Sequence, residues 1–456
     1  EIDKNARPNI LFIMADDHAA AAISCYGSWL ARHARTPNID RIAKEGMRFA
    51  HCFVTNSICT PSRAAILTGQ YSHINGVYTL ADPLDPSRPH VAKILQQAGY
   101  QTAIVGKWHL HTDPTGFDYW NILPGQGRYY NPVLITLQNG KRVRKVHQGY
   151  SSDVIAGLCL EWLKKRDKTR PFFLLCHFKA PHRPWDPPKR FAKLYEGVTI
   201  PEPPTLLDDY RNRSRAAANA TLKIGEHMNA RDLKRPKPRD MDRNTLRKWA
   251  YQIYIKDYLR CITAVDENVG RLLDYLDKSG LAKNTIVFYT SDQGMFLGEH
   301  GYFDKRFMYE PSLQMPLLVR YPPEIKPGSV NEDIVLNIDF APTFLDFAGL
   351  PIPKQMQGRS IRPLLQGKTP GDWRKSMYYR YWMHLAHHGV PAHYGIRTQR
   401  YKLIYFYGDP MGMRGAVNRP TPPEWELFDL QKLSLIHISE PTRTLYISYA
   451  GFGLKK

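Results

Sequence analysis

The segment NILFIMADDH, residues 9–18, decides the fold class predicted for this chain, because an apolar run ends abruptly in polar residues. The apolar residues are mostly branched or aromatic, which is typical of a buried β-strand. Asp16, Asp17 and His18 follow directly. They would therefore lie at the carboxyl end of that strand.

Three further segments repeat this arrangement of an apolar run followed by polar residues: TAIVGKWHLH (102–111), PFFLLCHFKAPHRPW (171–185) and NTIVFYTSDQG (284–294). Segments with helical periodicity lie between them, such as TPNIDRIAKEGMRF (36–49) and YLRCITAVDENVGRLLDYLDKSG (258–280). This alternation predicts an α/β fold with a mainly parallel sheet and helices on both faces. In such sheets ligands bind beyond the carboxyl ends of the strands.

The side chains expected at that edge suit a metal ion. Asp16, Asp17, Asp292 and Gln293 offer carboxylate and amide oxygens, which are hard donors that Ca²⁺ and Mg²⁺ prefer. Zinc would more often use histidine and cysteine. A single Asp pair is weak evidence, because Asp is also common in turns, but its recurrence after a second strand favours a metal site.

The segment NSICTPSRAAILTGQY, residues 56–71, contains a cysteine without a CxxC partner. Pro61 suits the first turn of a helix and Gly69 its end, so Cys59 should lie at a helix N-terminus. That position is expected to lower the pKa of the thiol and make it reactive. From the residues alone, a buried inert cysteine is an equally good interpretation.

The segment CTPSRAAILTG (59–69) resembles the signature of the type I sulfatases, in which a separate generating enzyme oxidises the cysteine to formylglycine. Other segments resemble further motifs of that family and occur in the family order: NILFIMADD, GKWHL, APHRPW and TSDQGMFLGEHGYFDKR. The resemblance implies an alkaline-phosphatase-like fold, with a large, mainly parallel sheet flanked by helices. YGIRTQRYKLIYFYG (394–408) reads as a hairpin of a small C-terminal antiparallel-sheet subdomain.

The resemblance also implies a role for each matching residue. Calcium, with magnesium as the less suitable ion, would be held by Asp16, Asp17, Asp292, Gln293 and the modified residue 59. The remaining catalytic residues implied by the family are Arg63 and Lys107, which steady the modified side chain, His109, which assists its hydrate, and His182 and Lys305, which contact the sulfate ester.

The family's nucleophile has a chemical logic that an unmodified cysteine lacks. An aldehyde hydrate carries two hydroxyls: one attacks sulfur, and the other lets the sulfated intermediate collapse to the aldehyde and release sulfate. A sugar alkoxide is a poor leaving group and needs a proton. His182 is our first choice as the donor.

The substrate is predicted less directly. The sequence looks most like carbohydrate sulfatases of the N-acetylglucosamine-6-sulfatase type, which favours an exo-acting enzyme on 6-O-sulfated sugars in glycosaminoglycans or related polysaccharides. Lys and Arg outnumber Asp and Glu by 63 to 42, so the net charge of +21 suits a polyanionic glycan. A polar, basic C-terminal stretch offers candidate sugar contacts, although these residues could equally be polar faces of a packed sheet: Arg380, His384, His388 and His393.

Two other functions fit parts of the sequence. A phosphodiesterase or phosphonate hydrolase of the same superfamily can use the same nucleophile. A non-enzymatic polyanion-binding protein would explain the charge but not the motifs at the strand ends. We expect neither nucleic acid as a partner nor a membrane span.

We predict a catalytic domain over residues 1–370 and a small subdomain over 371–432. Residues 433–456 resemble translated sequencing-adapter sequence and are expected not to be native. The polar stretch 208–249 is predicted to be an insertion or long loop. Six scattered cysteines do not form a disulfide framework, and the family implies a secreted, periplasmic or lysosomal enzyme, although the chain shows no signal peptide.

Overall fold

The computed structural model of the protein describes residues 7–211 and 213–435, without the side chains of 433–435. The predicted non-native tail, 433–456, thus lies outside the described residues except for three residues of helical backbone. The described strands are β1 (Asn9–Ala15), β2 (Met47–Phe49), β3 (Cys52–Phe53), β4 (Gln101–Lys107), β5 (Tyr119–Leu123), β6 (Val133–Gln138), β7 (Lys141–Val146), β8 (Phe172–His177), β9 (Thr285–Ser291), β10 (Gln314–Met315), β11 (Leu317–Arg320), β12 (Ser329–Asn331), β13 (Val335–Leu336), β14 (Ser376–Tyr381), β15 (His393–Thr398), β16 (Tyr401–Phe406) and β17 (Glu424–Asp429).

A ten-stranded sheet forms the centre of the molecule, in the order β12-β2-β11-β9-β1-β8-β4-β5-β6-β7. The five strands from β9 to β5 are parallel, which confirms the prediction from the apolar runs. Strand β1 is buried along its whole length, as expected of a strand with layers on both faces. The carboxyl ends of the parallel strands therefore meet at one rim.

Helices flank this sheet in two groups. Helices α1 and α5 each contact α8, and α2, α4 and α10 contact one another in the other group. The described helices are α1 (Pro37–Lys44), α2 (Cys59–Thr68), α3 (Ser72–Asn75), α4 (Val91–Gln97), α5 (Ser151–Lys165), α6 (Arg215–Asn219), α7 (Ala230–Leu233), α8 (Arg243–Lys278), α9 (Glu310–Leu313), α10 (Phe340–Phe347), α11 (Arg362–Leu365) and α12 (Leu430–Leu435).

The polar stretch 208–249 is only partly the long loop that its composition predicts. It contains α6 and α7, and α8 already begins at Arg243. The Asp242 carboxylate caps α8 by accepting hydrogen bonds from the backbone N–H groups of Asn244 and Thr245. Charged residues at the start of a long helix look like a loop in sequence, because the apolar face of α8 begins further along.

A second, four-stranded antiparallel sheet has the order β14-β15-β16-β17. It contains the predicted hairpin as β15 and β16, paired from His393 with Phe406 to Arg397 with Lys402. Strand β14 is anchored to the segment before α2, because the Arg380 N–H donates to the Thr55 carbonyl over 3.1 Å. The small sheet therefore reaches the neighbourhood of Cys59.

All six cysteines lie in the described part of the chain and are free, in agreement with the absence of a predicted disulfide framework. None of the described helices combines the length and the hydropathy needed to cross a bilayer.

Candidate active site

The two central strands deliver four oxygen-bearing side chains to one place. Strands β1 and β9 are parallel neighbours, with Ala15 level with Ser291, so the residues that follow them emerge side by side. Asp17 has a φ of 69°, a left-handed conformation that turns the chain directly after Asp16. The four side chains are completely or almost completely buried: Asp16, Asp17, Asp292 and Gln293.

Three buried carboxylates form a compact cluster. One oxygen from each of Asp16, Asp17 and Asp292 lies within 4.8 Å of the others. Burial, together with the charge of Asp16, raises the pKa of Asp292 to about 7, and it also raises the pKa of Asp17. Burial opposes ionisation of Asp16 as well, but the nearby charges, led by Lys107, hold its pKa well below the usual value. The cluster thus attracts positive charge.

Gln293 completes the oxygen-donor set. Its Nε2 donates a hydrogen bond to Asp17 Oδ1 and lies 3.7 Å from Cys59 Sγ. Its Oε1 is buried without a hydrogen-bond partner among the described residues. Rotation of the Gln293 side-chain amide by 180° exchanges its nitrogen and oxygen without changing the shape of the group. The unpaired oxygen would then face the carboxylates, where a bound cation would be its partner.

Cys59 faces this cluster from the first residue of α2, after the extended Ile58. Its Sγ lies 3.5 Å from Asp16 Oδ1, and the residue is 1% exposed. The prediction that the helix N-terminus lowers the pKa of the thiol is wrong: burial raises it to about 12, and Lys107 and Lys305 offset only part of that effect. An unmodified Cys59 would therefore be a thiol, which is a poor nucleophile.

Arg63 and Lys107 hold the carboxylates in place. Arg63 donates from Nε and Nη2 to Asp292 Oδ2 over 3.0 and 2.9 Å, and from Nη1 to the Lys107 carbonyl over 2.6 Å. The Lys107 ammonium pairs with Asp16 and donates to Gln126 Oε1 over 2.5 Å. Both cations are buried, so these interactions are little screened by water.

Lys305 binds the third carboxylate of the cluster, that of Asp17. Its Nζ donates to both carboxylate oxygens of Asp17, over 2.6 and 2.7 Å. Burial disfavours the ammonium, but the negative groups around it, led by Asp17 and including Asp304 and Asp16, together outweigh burial and raise the pKa of Lys305 well above its usual value. Lys305 is therefore a permanent cation beside Cys59.

Two histidines complete the site. His182 has Nδ1 2.6 Å from the Arg183 carbonyl and Nε2 3.8 Å from Asp17 Oδ2. The carbonyl requires a proton on Nδ1, which leaves Nε2 directed at the cluster. His109 places Nδ1 3.4 Å from Thr60 Oγ1. Burial lowers the pKa of His182 well below its usual value and that of His109 to about 2, so both rings are neutral without a bound anion.

Comparison with known proteins identifies this arrangement. The family profile described as Sulfatase matches residues 8–350, which include every residue of the site. The chain belongs to the sulfatase family. A second profile, described as N-sulphoglucosamine sulphohydrolase, C-terminal, matches residues 298–434 of the sulfatase.

Individual relatives agree with this membership. The sulfatase is 45% identical to an N-acetylglucosamine-6-O-sulfatase of Bacteroides thetaiotaomicron, over 94% of this chain and 82% of that protein. A structure solved in complex with its substrate D-glucosamine-2-N,6-O-disulfate matches with a TM-score of 0.86 and 44% identity, covering 94% of this chain and 92% of that one. The sulfatase is a sulfuric ester hydrolase.

The fold extends beyond sulfatases. A phosphonate monoester hydrolase from Silicibacter pomeroyi matches with a TM-score of 0.72 at 23% identity, covering 93% of this chain and 89% of that one. The likeness confirms the alkaline-phosphatase-like fold. At that identity it carries no argument for phosphonate chemistry, and a non-enzymatic polyanion-binding protein is not favoured by these relatives.

Gly106 lets Lys107 enter the site. It has a φ of +108°, and a Cβ there would lie 1.9 Å from the His177 carbonyl oxygen of the neighbouring strand. Glycine is therefore required where β4 approaches β8 most closely.

We expect Gly106→Ala to reduce kcat about tenfold or more and to lower the melting temperature, because the backbone that carries Lys107 must move away from β8. Gly99→Ala is the matched control: Gly99 has a φ of +96°, but a Cβ there meets nothing within 4 Å. Steady-state kinetics and thermal melts of both variants measure the effect. If both variants lost kcat equally, the loss would come from placing a side chain at a positive φ, and the contact between β4 and β8 would not be its cause.

The loop between β5 and β6 forms part of the pocket wall, which the sequence analysis missed. Gln126 contacts Lys107, and the Tyr129 hydroxyl donates to the His182 carbonyl over 2.5 Å. The Lys179 ammonium lies 4.8 Å from the centre of the Tyr129 ring, and burial lowers its pKa to about 8. No local sequence signal marks Gln126 or Tyr129, because their partners are brought together only by the sheet.

A buried charged cluster beside Lys305 was also not predicted as a unit. Arg306 Nε donates to Asp304 Oδ1 over 3.0 Å, and His388 Nε2 lies 3.3 Å from Asp304 Oδ2. Arg306 Nη1 also donates to the Tyr381 hydroxyl over 3.1 Å. Asp304 and Arg306 have φ values of 72° and 88°, so the chain turns sharply on both sides of Lys305. Of the candidate sugar contacts, His388 is thus the one that joins this cluster.

Arg380 and His393 have different surroundings. The Arg380 guanidinium lies 3.5 Å from the centre of the Trp382 ring, and its Nε has no hydrogen-bond partner among the described residues. His393 is buried in the four-stranded sheet, with Nδ1 2.7 Å from the Pro391 carbonyl and Nε2 accepting from the Met308 N–H. With both ring nitrogens engaged, His393 offers no group to a substrate in this conformation.

Proposed function

We propose that this sulfatase removes the 6-O-sulfate from glucosamine residues at the ends of sulfated glycans, as an exo-acting enzyme. One observation carries the proposal: Cys59 faces three carboxylates and two lysines in a chain that matches, at 44% identity, a structure solved with a glucosamine disulfate substrate. The relative from Bacteroides thetaiotaomicron, an N-acetylglucosamine-6-O-sulfatase, supports the same position of the sulfate.

The donor set fits a calcium ion held by Asp16, Asp17, Asp292 and Gln293 together with residue 59. All four side chains provide hard oxygens, and the unpaired Oε1 of Gln293 lacks only a cation. Magnesium is less suitable because it prefers to keep several water ligands. A bound cation would polarise the sulfate oxygens and offset the charge that develops on them.

Residue 59 acts, in this proposal, as formylglycine produced by a separate generating enzyme. Its hydrate would supply one hydroxyl for attack on sulfur and a second for release of sulfate. Cys59, Pro61 and Arg63 are all buried in α2. The generating enzyme would therefore have to bind and oxidise this segment before α2 packs into the folded protein. The high pKa of the unmodified thiol also favours a modified nucleophile.

The cations of the site orient the sulfate group before reaction. Lys107 pairs with Asp16 and Lys305 with Asp17, the charges of both lysines reach Cys59, and Arg63 fixes Asp292. A sulfate ester placed over residue 59 would have its oxygens near these cations. Preoriented charges of this kind stabilise the transition state without reorganisation during the reaction.

His182 donates the proton to the leaving sugar oxygen in our proposal. Its Nδ1 is held by the Arg183 carbonyl, so Nε2 is the atom that carries the transferable proton when the ring is charged. Burial keeps the ring neutral in the free enzyme. An anionic sulfate ester beside it would raise the pKa of the ring and favour the charged form. His109, near Thr60 at the start of α2, would assist the hydrate.

The glucosamine ring would be recognised by the cluster of Asp304, Arg306 and His388 beside Lys305. These side chains are buried, and Asp304 contacts both Arg306 and His388, so the cluster presents fixed donors and acceptors for sugar hydroxyls. Arg380, with an unpaired Nε, is retained as a candidate contact at the mouth of the site. We assign catalysis to residues 1–370 and this outer part of the site partly to the subdomain 371–432.

A panel of defined substrates tests the proposal. We expect turnover of glucosamine 6-O-sulfate and N-acetylglucosamine 6-O-sulfate, with at least about 100-fold lower kcat/KM for the 3-O-sulfate isomers, because the sugar contacts fix which oxygen reaches residue 59. Turnover of bis(4-nitrophenyl) phosphate or of 4-nitrophenyl phenylphosphonate above 4-nitrophenyl sulfate would instead support the phosphodiesterase or phosphonate hydrolase alternative. Activity confined to internal sulfates of a polymer would contradict the exo-acting mode.

A further inference from the structure

The hairpin of β6 and β7 forms one edge of the ten-stranded sheet. Among the described residues, strand β7 pairs with β6 alone, so its outer edge has no described partner strand. Only Ile135 and Thr136 of β6 pair with β5, opposite Ile122 and Asn121. The tip of the hairpin around Gly140 therefore projects beyond the body of the sheet.

This hairpin carries a concentrated positive charge. Residues 136–147, TLQNGKRVRKVH, include no acidic residue. Lys141, Arg142, Arg144 and Lys145 are all exposed. Arg142 pairs with Asp113 at 3.4 Å, but within the described residues no ion pair is formed by Lys141, Arg144 or Lys145. Because side chains alternate along a strand, the cations point to both sides of the edge.

The hairpin is continuous with the wall of the active site. The connection from β5 to β6 contains Gln126 and Tyr129, which contact Lys107 and the His182 carbonyl, and between them Arg128 is exposed. Strand β7 ends at Val146, which pairs with Val133 at the start of β6. Exposed cations therefore occur both in the loop that contacts Lys107 and His182 and along the adjoining edge strand β7.

We propose that the β6–β7 hairpin is a binding site for the polymer part of the substrate, a sulfated glycan chain that extends from the sugar held in the pocket. This inference rests on the proposed function, since it assumes that the reacting sugar is the end of a polyanion. Uncompensated cations along an exposed edge attract such a chain over a distance set by salt, about 8 Å at physiological ionic strength. Charges on edge strands also prevent strand pairing between molecules, which is the competing explanation.

The test compares two triple variants with the same change of charge. The hairpin variant is Lys141→Glu, Arg144→Glu, Lys145→Glu. The control is Lys278→Glu, Lys283→Glu, Lys326→Glu, at exposed lysines for which no ion pair is formed within the described residues. We measure binding to immobilised heparin at several salt concentrations, and kcat/KM for N-acetylglucosamine 6-O-sulfate. A Lys141→Gln, Arg144→Gln, Lys145→Gln variant guards against misfolding of the charge-reversed hairpin.

We expect the hairpin variant to bind heparin about tenfold more weakly at low salt, the Gln variant to lose part of that affinity, and the control to change less than about twofold. Turnover of the monosaccharide should be unchanged in all three. Equal losses in hairpin and control variants would overturn the proposal in favour of net charge alone. Unchanged heparin affinity with increased aggregation would overturn it in favour of edge protection.

Nucleic acid is tested with duplex DNA of similar charge. Hairpin-dependent binding of DNA that is tighter than binding of heparin would overturn the assignment to a glycan. If the unaltered enzyme binds heparin through the hairpin but does not hydrolyse the monosaccharide sulfate, the proposed function fails while the binding site stands. The two failures are therefore distinguishable.

Discussion

Cys59→Ala is expected to reduce kcat for hydrolysis of a sulfated monosaccharide by about 10⁴-fold or more, because it removes the only side chain that can become the nucleophile. Cys59 Sγ lies 3.5 Å from Asp16 Oδ1 and within the electrostatic influence of Lys107 and Lys305, which is where the proposed reaction requires the nucleophile. Cys59→Ser should also be inactive if the generating enzyme requires cysteine. Both variants keep a small side chain and should bind substrate.

The control for this prediction is Cys159→Ala, which removes another fully buried thiol from α5, away from the cluster. It should lower stability without abolishing turnover. Peptide mass spectra of the active enzyme should show the aldehyde or its hydrate at residue 59. An active preparation with an unaltered thiol at Cys59, or a Cys59→Ala variant with normal turnover, would contradict the proposed mechanism.

The fold could be predicted from sequence because its central strands are buried on both faces. The runs Ile10–Ala15 and Ile286–Tyr289 are apolar and buried at every position. Short continuous apolar runs of this kind favour buried strands over surface helices, which need a polar face. The edge of the sheet was harder to recognise. Strand β7, KRVRKV, has one valine on each face among lysines and arginines and therefore no apolar face, so only its pairing with β6 identifies it as a strand.

The positions of Asp16 and Asp292 could be predicted from short segments, because the ends of neighbouring parallel strands bring them together independently of the loop conformations. The pKa values of the site residues could not be predicted in this way. The reactivity predicted for Cys59 relied on the helix N-terminus, a local effect, whereas burial by distant segments dominates the pKa of the thiol. For the same reason the pair of Asp304 and His388, which are far apart in the chain, emerged only from the folded structure.

Removal of the metal is expected to abolish activity and to lower the melting temperature. Asp16, Asp17 and Asp292 repel one another when ionised, and a cation that binds only the folded state stabilises it by about 2.7 kcal/mol at a concentration 100-fold above its Kd. Dialysis against a chelator, followed by readdition of calcium or magnesium, measures the effect. Calcium should restore activity and stability more fully than magnesium does.

The pH dependence distinguishes loss of a bound cation from general damage by the chelator. In the metal-free protein the pKa of Asp292 is about 7, above the ordinary 3.8, so between these values the folded state binds more protons than the unfolded state. The contribution of Asp292 to the free energy of unfolding should then rise as pH falls from about 7 toward 4, and a cation that keeps the carboxylates ionised should remove this contribution. The lowered pKa values of His182 and His109 act in the opposite direction below 6.5 in both forms, so the comparison of loaded with metal-free protein isolates the carboxylates. The lowered pKa of Asp16 acts only below its ordinary value and leaves this window unaffected.

We therefore expect the difference in melting temperature between loaded and metal-free protein to be larger at pH 8 than at pH 6. Full activity in protein shown by elemental analysis to lack the metal would contradict the assignment. A difference in melting temperature that does not change with pH would show that the cation does not bind these carboxylates.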